Sequence, residues 1–421
     1  MPREMKDSGI EWIGEIPAEW EIIRFKFLHN GMNTGESIDK EYWSDDEKDI
    51  VFYTAGLLPI YTSYQDFPEW KYTNGNDLLL ARNGTPYVYY PVINACYTDH
   101  IIRAEMKADI NRKFVKYGLQ QSISSVIVNQ VSIATWSASL WNEQTIPWPP
   151  LSEQQKISAH LDSECAKIDD VISKSKATIE EYKKLKQSVI TETVTKGIRP
   201  NREMKDSGIE WIGEIPKEWN VVKGTRMINS TQNGLTRRDL AESMGHIVLK
   251  LKNITSDGKI SYDYINRIQL TTNEIDNYSL VDGDFLFVRV NGSKKLVGKC
   301  VIYKDNGEIT AYNDHIIRVR LNNNCSKEYF YWYLYSSAGK TEIDLHTSTA
   351  AGQYTISGEG LRDICIALPR IDEQQEIADY LDQKCSEIDT LIAKKEQIVT
   401  ELESYKKSLI YEYVTGKKEV I

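Results

Sequence analysis

A chain of 421 residues has room for two or three domains, each with its own core. Its apolar share of 41% and charged share of 27% exclude disorder over most of the length, and no apolar run reaches the roughly 18 residues of a membrane span. The net charge of −10 excludes a global field that would draw nucleic acid, so any such binding must use local patches.

In chain order, the opening MPREMKDSG has charge with no apolar run behind it, which predicts no secretory leader. Six scattered cysteines without a C-x-x-C pair predict reduced thiols in a cytoplasmic setting. Residues 3–20 read REMKDSGIEWIGEIPAEW, and residues 202–219 read REMKDSGIEWIGEIPKEW; Ala18 against Lys217 is the single change. Between the copies, residues 21–150 hold 11 basic against 15 acidic side chains. There DIVFYTAG, DLLLARNG and PYVYYPVINACYT predict short strands separated by turns, and NRKFVKYGLQQSIS predicts a short helix.

From Ser152, placed as an N-cap ahead of Glu153-Gln154-Gln155, neither Pro nor Gly occurs until Gly197, which predicts one long helix. Ile157, Leu161, Ile168, Ile172, Ile179, Tyr182, Leu185 and Val189 recur at helical spacing and form one apolar stripe. A segment starting at Ile371 repeats this one 220 positions on without a gap. Its N-cap is Asp372, and its stripe is Ile377, Leu381, Ile388, Ile392, Val399, Leu402 and Leu409. Some 40 helical residues span about 60 Å, too long for a compact core. Two such helices in one chain can bury their stripes against each other, so a coiled coil is predicted.

Residues 220–368 are the more basic region, with 18 basic against 16 acidic side chains. HIVLKLKN, DFLFVRVNG and GKCVIYKDNG predict strands there, and SKEYFYWYLYSSAG predicts a helix. A faint skeleton is common to both regions. Asp77, Arg82, Asn83 and Gly84 match Asp284, Arg289, Asn291 and Gly292, and D-H-I-I-R follows at 99–103 and 314–318. The expected fold class is α+β with an internal two-fold repeat: a domain at 1–150, a long helix at 151–198, a related domain at 199–370 and a second long helix at 371–421.

Catalytic motifs fail on inspection. GSKKLVGK at 292–299 is one residue too long for a phosphate-cradling loop, lacks the following Ser or Thr, and runs into a strand rather than a helix. WPPL at 148–151 lacks the Asn that an N-P-P-Y amine-methylating loop needs, and no glycine-rich loop for a methyl donor accompanies it. His100 and His315 follow Asp99 and Asp314, but neighbours on a strand face opposite ways, so a structural histidine is the better reading. No histidine spacing supports a metal site. What remains is binding apparatus. Arg82, Asn83, Thr85 and Tyr87 lie at one strand tip, and Arg289, Asn291, Lys294 and Lys295 at its counterpart; Arg237 and Arg238 lie on a polar loop. Such residues grip phosphates or pair with base edges.

The layout resembles the specificity subunit of type I restriction-modification enzymes. IPAEW and IPKEW open the halves, PPLSEQQKI and PRIDEQQEI enter the helices, and DLLLARNG and DFLFVRVNG mark the variable regions. The resemblance implies two target recognition domains, each reading half of a split double-stranded DNA sequence. It also implies a spacer of two helices in an antiparallel coiled coil, with Leu161, Ile168, Ile172, Leu185, Leu381, Ile388, Ile392 and Leu402 on the coiled-coil or partner face. Catalysis would belong to two copies of a methyltransferase subunit and to nuclease-translocase subunits, so this chain would be no enzyme and hold no cofactor or metal. The competing classes are a two-domain adaptor that binds protein and a free-standing nuclease or methyltransferase; the missing motifs argue against the last.

Overall fold

The structure, a computed structural model, describes residues 3–83, 86–129, 135–237, 244–255, 258–350 and 352–420, without the side chains of 125–129 and 350. The chain forms two compact units, Met1–Lys176 with Glu396–Ile421 and Ala177–Lys395. Each takes one end of each long helix, Leu151–Lys196 and Ile371–Val414. Both helices begin one residue before the expected caps, so Ser152 and Asp372 sit inside the first turn.

In the first unit the central sheet is antiparallel. Strands β1 (His29–Thr34), β2 (Asp77–Ala81), β3 (Val88–Tyr89) and β4 (Ile101–Met106) lie in the order β1-β4-β2-β3. β2 is buried on both faces, which explains its unbroken Leu78-Leu79-Leu80 run. Leu78 and Leu80 pack with Val115 and Leu119 of α1 (Arg112–Asn129), while Leu79 joins Tyr53, Tyr89 and Tyr97 on the other side. The second unit repeats the order with β5 (Ile228–Asn233), β6 (Phe285–Val288), β7 (Cys300–Ile302) and β8 (Ile316–Leu321), as β5-β8-β6-β7. Phe285 and Phe287 pack on Phe330 of α2 (Lys327–Tyr335), and Leu286 packs on Ile247 and Val301. α3 (Ser337–Leu345) follows directly, with Ser336 capping it through the Gly339 N–H. The buried aspartate opening each central strand holds an arginine of the neighbouring strand: Arg103 to Asp77 at 3.0 Å and Arg320 to Asp284 at 2.7 Å.

Each domain is clamped to the long helix that follows it. Tyr117 donates to Asp162 at 2.8 Å, and Trp332 donates to Asp382, 220 positions on, at 2.8 Å. The repeated peptide forms a hairpin, Met5–Asp7 with Glu15–Pro17 and Met204–Asp206 with Glu214–Pro216. Its arginine and last tryptophan grip the glutamate of the E-Q-Q segment. Arg3 and Trp20 donate to Glu153 at 2.6 and 2.9 Å. Arg202 pairs with Glu373, and the Trp219 indole N–H donates to it at 3.0 Å.

Within each unit the long helices run antiparallel. In the first, Asp169 accepts from Lys406 at 2.6 Å and Lys176 meets Glu403 at 3.1 Å; in the second, Lys186 meets Asp389 at 2.6 Å. Leu161, Ile168 and Ile172 are buried with Val399 and Leu409 in the first unit, where Leu402 is half-buried. In the second, Leu381 is buried with Ile190 and Val194, Ile388 is buried and Ile392 half-buried. Leu185 departs from the stripe drawn on apolar residues, since it is exposed. Alternating steps of three and four from Leu161 place the core position at Lys186 instead. That lysine and its counterpart Lys406 each occupy the seam and pair with an aspartate of the facing helix. All six cysteines are free.

Candidate nucleic-acid interface

The tips of β2 and β6 share their backbone anchors. The Arg82 N–H donates to the His100 carbonyl at 2.8 Å, and the Arg289 N–H donates to the His315 carbonyl at 2.8 Å. Both histidines of the D-H-I-I-R repeat thus position a turn. The Asn83 amide also meets His100 Nδ1 at 2.6 Å.

Beyond these anchors the tips differ. The exposed Arg82 side chain lines an open cleft of about 470 Å³ with Asn33, Trp70, Lys71 and Ser137. Lys71 is held by the Gly35 carbonyl at 2.8 Å, and Trp70 is largely exposed. Among the described residues, no side chain pairs with the Arg82 guanidinium. The cation over the Trp70 ring is Lys71, 4.7 Å from its centroid. An aromatic ring and a guanidinium lining one cleft can take a base on the ring while the cation meets a phosphate or a guanine edge. Tyr87 belongs to the frame: its ring packs edge-on to Tyr89 at 4.8 Å, and its carbonyl accepts from the Ala81 N–H. Thr85 lies outside the described residues, as does Arg238.

In the second unit Arg289 donates to the Asp314 carbonyl at 2.9 Å, and Asn291 accepts the Ser293 N–H at 2.9 Å while its backbone pairs with Tyr354. Both shape the turn. Lys294 and Lys295 are exposed on the short helical turn Lys294–Leu296, with Lys294 3.7 Å from Asp344. They line a cavity of about 410 Å³ together with Lys299 and Lys340. Arg237 is braced by Glu274 at 2.9 Å and by the Gln269 carbonyl at 3.0 Å. The Thr271 N–H, and to a smaller extent Arg237, hold the Glu274 carboxyl below its usual range.

Sequence reading missed Asn33, Trp70, Lys71 and Lys340, which reach the tips from distant segments. Lys299 was visible within GSKKLVGK, where the chain does continue as the strand β7.

Two copies of one α+β domain, each clamped to a shared antiparallel helix pair and each with its own tip chemistry, define a paired-domain protein with an internal two-fold repeat. Residues 17–181 and 216–401 match the family described as the type I restriction modification DNA specificity domain, and the chain belongs to that family. It is 28% identical over 306 residues to the type I restriction enzyme StySPI specificity subunit of Salmonella potsdam, covering 70% of this chain and 63% of that one. It is 24% identical over 437 residues to the MjaVIII specificity subunit of Methanocaldococcus jannaschii, covering 96% and 94%. A chain from a solved structure addressing complex assembly and conformational transition of the type I R-M system shares the fold, with a TM-score of 0.67 and 15% identity over 96% of this chain and 99% of that one.

Proposed function

We propose that the chain reads a split DNA sequence, one half with each unit, and brings separate methyltransferase and nuclease-translocase subunits to it. The duplication carries this reading. One sheet order, one buried anchor and one backbone-held tip occur twice, while the exposed side chains at the tips differ. Two sites related by a two-fold repeat suit two half-sites on a duplex, and unequal tips suit half-sites of unequal sequence. Arg82 and Trp70, which line one cleft, are the proposed reading groups of the first unit. Lys294 and Lys295 face DNA in the second. Asn83, Tyr87, Arg289 and Asn291 hold the tips in shape, while Arg237 is braced on its own loop by Glu274.

The flanks of the helix seam support the partner assignment. One flank is charged, with Asp169, Lys176 and Glu403 in the first unit and Asp389 in the second. The other carries Val171, Ile398 and Tyr405 in the first unit and Leu185 and Leu391 in the second, all between 41% and 55% exposed. Apolar side chains flanking a coiled-coil core suit a further helix docking there. Val171 and Tyr405 recur 220 positions away as Leu391 and Leu185, which suits two copies of one partner. Leu391→Glu with Tyr405→Glu is expected to abolish co-purification of the methyltransferase subunit and leave the circular dichroism of the chain unchanged. Retained co-purification would place the partner elsewhere.

Methylation-sensitive sequencing of the host genome tests the central reading. A two-part methyl-adenine motif should vanish on deletion of the gene; an unaltered pattern sinks the proposal. The purified chain alone should transfer no methyl group and cut no DNA with S-adenosylmethionine, Mg²⁺ and ATP present. Measurable turnover without partner subunits would reassign it as an enzyme.

A further inference from the structure

We propose that the second unit holds a phosphate-binding cavity built by Lys294, Lys295, Lys299 and Lys340. The inference deepens the DNA-reading proposal by naming the chemical group this unit takes. The matching turn of the first domain, RNGTP at 82–86, contains no lysine, so the site belongs to one half of the molecule.

The cavity, about 410 Å³, falls within the range of small-ligand sites. Among the described residues Asp344 is the single carboxylate lining it, while Leu334 and Ile343 supply an apolar wall. Its shape is built into the backbone. Gly298 has φ +75°, and a Cβ there would lie 2.1 Å from Ile343 Cγ2, so a side chain would close the wall. Lys340 projects from α3, and its ammonium donates to Gln187 of the first long helix at 2.6 Å. Burial, and then the charge of Lys299, hold its proton affinity below that of an ordinary lysine.

Lys294, Lys295 and Lys340 are exposed and Lys299 is half-buried; gathering these like charges around one cavity opposes folding of the empty state. This chain does so despite a net charge of −10. A phosphate reverses the sign of that cost: its oxygens accept charge-assisted hydrogen bonds from several ammonium groups at once. The phosphate can come from the DNA backbone or from a free phosphate compound of nucleotide size, and both present the same oxygens.

The test uses the full chain, with inorganic pyrophosphate and a short duplex as probes. Lys299→Met with Lys340→Met removes two cations, Lys299→Arg with Lys340→Arg keeps them, and Lys217→Ala, which copies Ala18 of the other repeat, controls for loss of a lysine outside the cavity. At fixed ionic strength, pyrophosphate is expected to raise the Tm of the native chain, the Arg variant and the control by a few degrees, with no rise in the Met variant. If pyrophosphate moves no Tm, but the Met variant alone loses about one unit of duplex-binding salt slope per lysine removed, the phosphate is DNA's own. If pyrophosphate has no effect and the slopes are equal, the proposal is overturned. Relief of repulsion should leave the ligand-free Tm of the Met variant at or above the native value; a lower one hands the decision to the Arg variant. Stabilisation by pyrophosphate in a chain that binds no duplex would sink the DNA reading and leave this site standing.

Discussion

Glu373→Ala is expected to lower the unfolding free energy by roughly 3 kcal/mol, the low end of what removing one partner of a buried ion pair costs. Glu373 is 2% exposed. Its carboxylate pairs with the largely buried Arg202 and accepts the Trp219 indole N–H. The substitution removes the acceptor of that indole N–H and leaves the exposed Glu218 as the carboxylate paired with Arg202 among the described residues. Glu218→Ala is the comparison, because an exposed pair of this kind contributes under about 1 kcal/mol. The corresponding change in the first unit, Glu153→Ala, should cost less, since Glu153 is partly solvated. Chemical denaturation of the three variants checks the order. Equal losses for Glu373→Ala and Glu218→Ala would mean that the repeated peptide is not anchored through this carboxylate.

That anchor shows how far the sequence could be read. The two peptides and the two E-Q-Q segments were plain as repeats, but nothing in one dimension paired Arg3 with Glu153 across the intervening domain. Packing explains why Ile13, Ile16, Pro17 and Trp20 stay fixed, for all are buried. It does not explain Glu4, Lys6, Glu11 and Glu15, which are exposed and equally unchanged at 203, 205, 210 and 214. Identity at solvent-facing positions points to the DNA that encodes them, and we propose that the repeats let recognition domains be exchanged by recombination. Swapped halves should appear when the locus is sequenced across a population of cells; a single invariant arrangement counts against it. Periodicity located both long helices, and the residues selected for being apolar put Leu185 on the seam. The geometry instead required Lys186, whose stem can line a core position while its ammonium reaches Asp389. Legibility of the site was more limited. Tip residues adjacent in sequence were found, but Trp70 and Lys340 arrive from segments far along the chain, and Arg237 and Asn291 turned out to hold backbone and carboxylate partners of their own.

Four residues inserted after Lys174 should change the gap between half-sites and leave both half-site sequences as they were. The insertion adds about 6 Å to the first long helix and turns its remainder by roughly 40°. Lys174 is exposed and lies between the buried positions Ile172 and Ser175, so no core residue is removed. Four residues also move the following core positions by only that small angle, a stutter that locally unwinds a coiled coil without reversing its apolar face. A three-residue insertion turns the helix by about 60° the other way and should be tolerated less well. The facing helix runs antiparallel, with Lys176 against Glu403 in the same unit, so lengthening one helix alone leaves its partner short. A matched insertion after Lys394, the residue 220 positions on, restores the two-fold balance and should recover any stability lost. At about 3.4 Å per base pair, 6 Å corresponds to a gap longer by up to about two base pairs. Methylation-sensitive sequencing of cells carrying the inserted gene reads gap and half-sites together. A changed half-site with an unchanged gap would mean that the helices help read bases, and that the spacing is set by the recognition domains themselves.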